Sequence, residues 1–438
     1  MNCRRKNALK RVRGASRACC KYNPERRAIV PPLAMQASIS VMRMNTLTTV
    51  AAFDRIGEEN AFAVLARATA LAAHGRDIVN LGIGQPDFPT PPHVVEAAVK
   101  ALRDGHHGYT PSVGILPLRE AVARDLDRRF GVAVDPDLVM IVPGGKVTMY
   151  AAIRLFGEPG AEILYPDPGF PIYRSMIEHT GATPIPVPAR EENGFAFSAD
   201  ELLALITPRT RLIIINSPAN PTGGVTPAEE IDKLVAGLEA HPHVAILSDE
   251  IYDQLIFDGL EHRTLLAYPE IRDRLIVLNG WSKTYAMTGW RLGWSIWPKA
   301  LYDDVRKLAV NAWSCVNAAT QYAGIAALDG PQDAVEHMRA EFDKRRALVT
   351  EGLNALPGVS AVTPKGAFYA FPNVSRTGWK AKPLASALLE EAGVAVIGGP
   401  DFGVHGEGYI RLSYANSAAN ISRALERMHA FLSERAPA

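Results

Sequence analysis

Two cations stand where a core is expected. Lys283 follows the apolar run Leu275-Ile276-Val277-Leu278, which reads as a buried strand, and Arg291 lies eight residues further on, between Trp290 and Leu292-Gly293. Burial disfavours the charged form of lysine, so a lysine at a strand end needs a reason to be there. A desolvated lysine is a good nucleophile because its lowered pKa leaves the amine neutral. An arginine stays charged and forks onto phosphate or carboxylate. Other strand ends carry equally unusual residues. Leu138–Val142 runs into Pro143-Gly144-Gly145-Lys146, with a helix pattern directly after. Leu212–Ile215 ends in Asn216-Ser217-Pro218-Ala219-Asn220-Pro221-Thr222-Gly223, and Val244–Leu247 in Ser248-Asp249-Glu250-Ile251-Tyr252. An acid, an amide, a phenol, a lysine and a glycine-rich helix start thus converge on one edge. That pattern suits a pocket and not a core.

The runs themselves say how these residues are positioned. They are continuously apolar, without alternation, as strands of a parallel sheet buried on both faces are. Helical segments lie between them. Ser198-Ala199-Asp200-Glu201 and Thr226-Pro227-Ala228-Glu229 both read as capped starts, the second as a capping box with proline at the first helical position. Strand–helix alternation predicts an α/β fold: a mainly parallel sheet with helices on both faces. Ligands of such sheets sit outside the carboxyl ends of the strands. After about residue 320 the pattern changes. A long helix is expected over Ala334–Leu356, with Arg345 and Arg346 on a polar face, then short strands near 367–371, 394–397 and 409–414 and a terminal amphipathic helix. This reads as a smaller α+β domain.

Each feature alone has a plain structural explanation. Gly144-Gly145 can be a tight turn, Asn220-Pro221 another, Asp249 a helix cap, and Arg411 a surface strand cation. The glycines at 144–145 do not make a Walker motif, since Val147 stands in place of Ser/Thr. Gly82-Ile83-Gly84 fails as a dinucleotide fingerprint, since Asp87 occupies the third glycine position. On successive strand ends, however, the set outweighs its parts.

Gly280-Trp281-Ser282-Lys283 through Arg291-Leu292-Gly293 resembles the lysine signature of the class I/II pyridoxal-phosphate aminotransferases, of aspartate aminotransferase-like fold type I. Leu81-Gly82-Ile83-Gly84-Gln85-Pro86-Asp87-Phe88, Asn220-Pro221-Thr222-Gly223, Ser248-Asp249-Glu250-Ile251-Tyr252 and Tyr409-Ile410-Arg411-Leu412-Ser413 belong to the same pattern, in the same order. The match covers roughly residues 50–433. Trp281 departs from the usual Phe, Tyr or smaller apolar residue, and Phe170 from the tryptophan of many aspartate-specific members.

The resemblance implies a ping-pong aminotransferase of α-amino acids and 2-oxo acids that uses pyridoxal 5'-phosphate and no metal. Lys283, Asp249 and Tyr252 would be catalytic: Lys283 carries the cofactor and shuttles the α-proton, Asp249 keeps the pyridine nitrogen protonated, and Tyr252, with Asn220, bonds the phenolic oxygen. Arg291, Gly144, Gly145 and Lys146 would hold the phosphate, with Ser282 beside the lysine and Phe170 on the ring face. Tyr109 would reach the phosphate of a neighbouring subunit, implying a homodimer. Arg411 would bind the substrate α-carboxylate, with Gly84 and Asn220 against the substrate, so the smaller domain becomes a lid. No residue is assigned to a second substrate carboxylate. Two other readings keep the same cofactor: a carbon–sulfur lyase, and a regulator that binds the cofactor behind a DNA-binding module.

Composition sets the frame. The 438 residues are 47% hydrophobic and 21% charged, as in an ordinary globular protein. No run approaches the ~20 apolar residues of a membrane span. Residues 1–27 hold ten Lys or Arg and one acid; without them, the chain's 47 basic and 46 acidic residues fall to 37 and 45. This Arg-rich segment reads as a transit peptide, a nucleic-acid arm, or an extension ahead of a start at Met42 or Met44. Cys3, Cys19 and Cys20 lie within it, leaving Cys315 and no disulfide framework in the body, which suits a cytoplasmic enzyme. The expected divisions are a basic tail at 1–44, disordered or outside the mature fold, a segment at 45–85 joining the small domain, a large domain at 86–320 and a small one at 321–438. Neither nucleic acid nor membrane is an expected partner.

Overall fold

The apolar runs become strands in the computed structural model, which describes residues 47–57 and 60–435. The expectations for residues 1–44 lie outside the described residues. In chain order the strands are β1 (Val79–Asn80), β2 (Val139–Val142), β3 (Glu162–Asp167), β4 (Thr183–Pro188), β5 (Thr210–Asn216) and β6 (Ala245–Asp249). There follow β7 (Leu275–Gly280), β8 (Gly293–Ile296), β9 (Tyr369–Ala370), β10 (Val394–Ala395), β11 (Ile397–Gly398) and β12 (Ile410–Ser413). Strands β2 to β8 form a seven-stranded sheet in the order β2-β8-β7-β6-β5-β3-β4. Neighbours from β7 to β4 are parallel, while β8 runs antiparallel to both β2 and β7.

Alternate residues of β2, β3, β5, β6 and β7 enter different cores, which is why these runs show no alternation. In β5, Leu212 and Ile214 face helices Gly145–Phe156 and Pro171–Thr180. Ile213 and Ile215 face helices Leu116–Phe130, Ala228–Leu238 and Ala318–Asp329. Each such side chain contributes about 1.5–3 kcal/mol by leaving water.

Register explains the convergence at one edge. Asn216 pairs with Asp249, and Gly280 with Gly293. Because β8 is antiparallel, its amino end meets the carboxyl ends of β7 and β2, where Gly293 also pairs with Val142. Arg291, two residues upstream of β8, therefore arrives where Lys283 and Gly144 already are. A second region surrounds the small sheets. There β1 pairs parallel with β10, and β11-β12-β9 are antiparallel. Helices Asp333–Asn354, Ala381–Glu390 and Ala418–Glu434 cover a core that includes Phe342, Phe368, Leu388 and Met428.

Three local expectations need correcting. Ser198 does cap its helix, accepting from the Glu201 N–H at 3.4 Å, but Thr226 is not the N-cap of the next one. The helix Ala228–Leu238 instead has Pro227 at its N-cap with no side-chain cap bond, and Glu230 reaches across to the Ala199 N–H at 2.7 Å. Arg346 does not lie on a polar face; it is buried, bonded to Asp343 at 2.8 Å and forked onto Asp258. Arg345 likewise meets Asp87 at 2.6 Å. Carboxylate partners let an arginine be buried where an isolated charge could not be. Finally, β4 was not foreseen, since Pro184, Pro186 and Pro188 argue against a strand. It is an edge strand bonded only to β3, and alternate residues of an edge strand can lack an N–H without losing a ladder bond.

Candidate active site

A cavity of about 590 Å³ opens at the shared edge, lined among others by Lys283, Asp249, Tyr252, Arg291 and Arg411. Lys283 sits on the short helix Trp281–Thr284 directly after β7, and its Nζ donates to the Gly84 carbonyl at 2.6 Å. Trp281 faces the other way, buried in the sheet core with Nε1 donating to the Gly324 carbonyl at 3.1 Å. Thus the unusual tryptophan anchors the lysine turn from behind. Ser282 is buried and lines the cavity.

Asp249, the last residue of β6, is buried. Burial pushes its carboxyl up to about 6; the Tyr173 hydroxyl, the Ile251 N–H and the charge of Lys283 pull the other way. Tyr173 donates to Asp249 Oδ2 at 2.5 Å. Asn216 fixes the backbone beneath, donating to the Asp249 carbonyl at 3.1 Å and accepting from the Asn220 N–H at 3.0 Å. The Tyr252 hydroxyl lies 2.8 Å from that of Tyr369, and burial holds Tyr252 well above the usual phenol range.

At the start of helix Gly145–Phe156, Gly144 has φ 94° and lies under Arg291: a Cβ here would meet Arg291 Nη2 at 2.3 Å. Arg291 itself has φ 54°, a left-handed conformation that costs a non-glycine residue on the order of 1–2 kcal/mol. Its guanidinium donates to the Thr288 carbonyl at 2.8 Å. Strained backbone of this kind persists where surrounding structure enforces it. The Lys146 amine stands 5.3 Å from the Phe170 ring centroid and 5.5 Å from that of Phe62.

Across the cavity, Arg411 is buried on β12. It donates to Asn220 Oδ1 at 2.9 Å and to the Gly82 carbonyl at 2.5 Å. The rings of Tyr369 and Phe402 lie 4.6 and 4.7 Å from its Cζ. Gly84 is close to Tyr369; a Cβ there would stand 1.9 Å from the tyrosine hydroxyl.

The residues singled out in the sequence mostly meet. Gly84, Gly145, Lys146, Phe170, Asn220, Asp249, Tyr252, Ser282, Lys283, Arg291 and Arg411 line the cavity. Gly144 supports Arg291 from just behind, whereas Tyr109 is 94% exposed and lines no part of the cavity. Sequence reasoning missed Tyr173, Asn216 and Tyr369. Two of them carried a signal: Tyr173 is three residues past Phe170 in a helix opening at Pro171, and Asn216 ends β5 beside Asp249. Tyr369 gave none, since its role depends on a distant strand.

With this geometry in hand, the relatives are informative. The family model for aminotransferase class I and II matches residues 76–428. The chain belongs to the class I and II aminotransferases. It is 38% identical over 380 residues to an aspartate aminotransferase of Geobacillus stearothermophilus, covering 85% of this chain and 96% of that one. It is 39% identical over 361 residues to an aromatic-amino-acid aminotransferase of Thermococcus litoralis, covering 82% and 92%. The crystal structure of the aspartate aminotransferase from Rhizobium meliloti superposes with a TM-score of 0.84 at 34% identity, covering 90% of this chain and all of that one. This aminotransferase has the α/β architecture of its family, whose members use pyridoxal phosphate. Among its described residues no helix is long and apolar enough to cross a membrane.

Proposed function

We propose that this aminotransferase carries pyridoxal 5'-phosphate on Lys283 and moves amino groups between α-amino acids and 2-oxo acids in two half-reactions. The observation that carries the reading is one cavity in which Lys283, the buried acid Asp249 and the buried fork of Arg411 all face inward. The residues fit the cofactor. An acid whose charge burial disfavours, held by the neutral Tyr173 and Ile251 donors, is a fitting partner for a protonated pyridine nitrogen. The helix start at Gly145 and the adjacent Arg291, brought close by a side-chain-free Gly144, suit a phosphate dianion. The cavity is also within the range of small-molecule sites, roughly 300–1,000 Å³.

When bound, pyridoxal phosphate supplies an electron sink for charge developing at the substrate α-carbon. Asp249 maintains that sink by holding a proton on the ring nitrogen. Tyr252 and Asn220 orient the phenolic oxygen, and Phe170 covers the ring. Lys283 would hold the aldehyde carbon and supply the amine that moves the α-proton. Arg411 captures the α-carboxylate, a group that aspartate and aromatic donors share. We further propose a small domain, comprising the segment 45–85 and residues 321–438, that closes on substrate, and a cytoplasmic homodimer in which Tyr109 serves the partner's phosphate.

A donor–acceptor screen on purified protein tests the proposal. Transfer from at least one α-amino acid to a 2-oxo acid is expected, lost in Lys283→Ala, in which borohydride no longer fixes the cofactor to the chain. Arg411→Ala should lower kcat/KM for every α-amino acid donor by roughly 10²–10³-fold while keeping the cofactor. Retained efficiency in Arg411→Ala, or borohydride fixation in Lys283→Ala, contradicts the assignments.

A further inference from the structure

Asp167 ends β3, is fully buried, and lines no part of the cavity. Its carboxylate reaches into the turn between β11 and β12. It accepts the N–H of Val404 at 3.0 Å and of His405 at 2.9 Å, with the His405 ring Nδ1 at 3.2 Å. The Tyr165 hydroxyl donates to it from 3.2 Å on its own strand. Gly403 has φ 135°, and a Cβ there would stand 2.3 Å from the carboxylate atoms. The lacing runs both ways, since the Gly169 N–H donates to the Phe402 carbonyl at 2.8 Å.

What this turn carries gives the contact its meaning. Phe402 is buried with its ring 4.7 Å from Arg411 Cζ. Asp401 beside it accepts from Asn60 Nδ2 at 2.6 Å and pairs with Lys382 at 2.6 Å. Asn60 opens the helix Asn60–Ala73, whose Ala61 and Phe62 line the cavity. On the other side, Phe170 follows Asp167 by three residues and lines the same cavity.

We propose that Asp167 is a positioning residue for substrate carboxylate binding: it fastens the 399–406 turn so that Phe402 holds the Arg411 fork in its binding orientation. The inference rests on the reading of Arg411 as the α-carboxylate partner. A fork held in place before substrate arrives loses less freedom on binding, so affinity for a carboxylate depends on the turn's anchor. Backbone N–H bonds to an ionised acceptor are among the stronger ones, and an amide in its place must turn its NH₂ toward one of those donors.

The test compares Asp167→Asn and Gly403→Ala with the parent, all loaded with cofactor. Succinate and 3-phenylpropionate, carboxylates with no amino group to react, are titrated calorimetrically, and KM and kcat are measured for amino acid donors. Both variants should bind the carboxylate on the order of 10-fold more weakly and show a matching rise in KM. Cofactor retention should be unchanged, with melting within about 4 °C of the parent. Parent-like carboxylate affinity in either folded variant overturns the proposal. So does weakening that only tracks cofactor loss, since Asp167 would then be part of the scaffold alone. Arg411→Ala serves as the control: unchanged carboxylate binding there would refute the reading of Arg411, whereas loss there with none in Asp167→Asn or Gly403→Ala refutes the role of Asp167 alone.

Discussion

Asp249 draws its chemistry from its surroundings more than any other residue of the site. Its folded pKa of about 6 stands above the ordinary value of 3.8, so the folded protein binds this proton more tightly than the unfolded chain does. The stability it contributes is full below the unfolded value and is lost as pH rises through about 6, on the order of 2–3 kcal/mol across that window. Cofactor-free parent and Asp249→Asn should therefore differ in a pH-dependent way. The parent's melting temperature relative to the variant should fall between pH 4 and 6 and level off above, as thermal melts would reveal. A flat difference would mean that Asp249 is already ionised and balanced at low pH. The same residue shows what sequence could tell: an acid at a strand end was legible, but the Tyr173 hydroxyl against it was not, because that contact links residues 76 positions apart.

At the scale of elements, glycines set how closely strands and helices deliver their cargo. Gly84 lets the Gly82–Gly84 segment approach Tyr369, whose hydroxyl faces Tyr252 and whose ring lies against Arg411. Gly84→Ala should push that ring aside, costing about 1–3 kcal/mol in stability and lowering kcat/KM by at least about 10-fold. Melting and steady-state kinetics together check this; a variant with parent-like values for both would show that Tyr369 yields freely. The main sheet was legible because strands buried on both faces advertise themselves as unbroken apolar runs. β4 was not, since its prolines are tolerated only because nothing pairs with its outer edge. Arg345 and Arg346 misled for a related reason: helical periodicity marks charged residues as solvent-facing, and only the tertiary fold supplies Asp87 to Arg345 and Asp258 to the buried Arg346.

The whole molecule joins two chemistries in one cavity. The seven-stranded sheet brings the lysine, the acid and the phosphate-suited helix start; the three-stranded sheet brings the carboxylate-suited arginine. Their order along the chain carried enough information to name a family, whereas the cavity's side walls, Phe62 and Tyr369, emerge only in three dimensions. A lysine and an acid alone would also suit elimination chemistry, so the central claim is that the amino group stays with the enzyme until an oxo acid collects it. The direct measurement is a single half-reaction. Protein loaded with pyridoxal phosphate is given an α-amino acid donor, aspartate or phenylalanine, without any 2-oxo acid, and released oxo acid and ammonia are quantified. Oxo acid should stop at about one equivalent per chain, with no ammonia, and resume when 2-oxoglutarate is added. Release that continues beyond one equivalent, accompanied by ammonia, would contradict amino-group transfer as the reaction of this site.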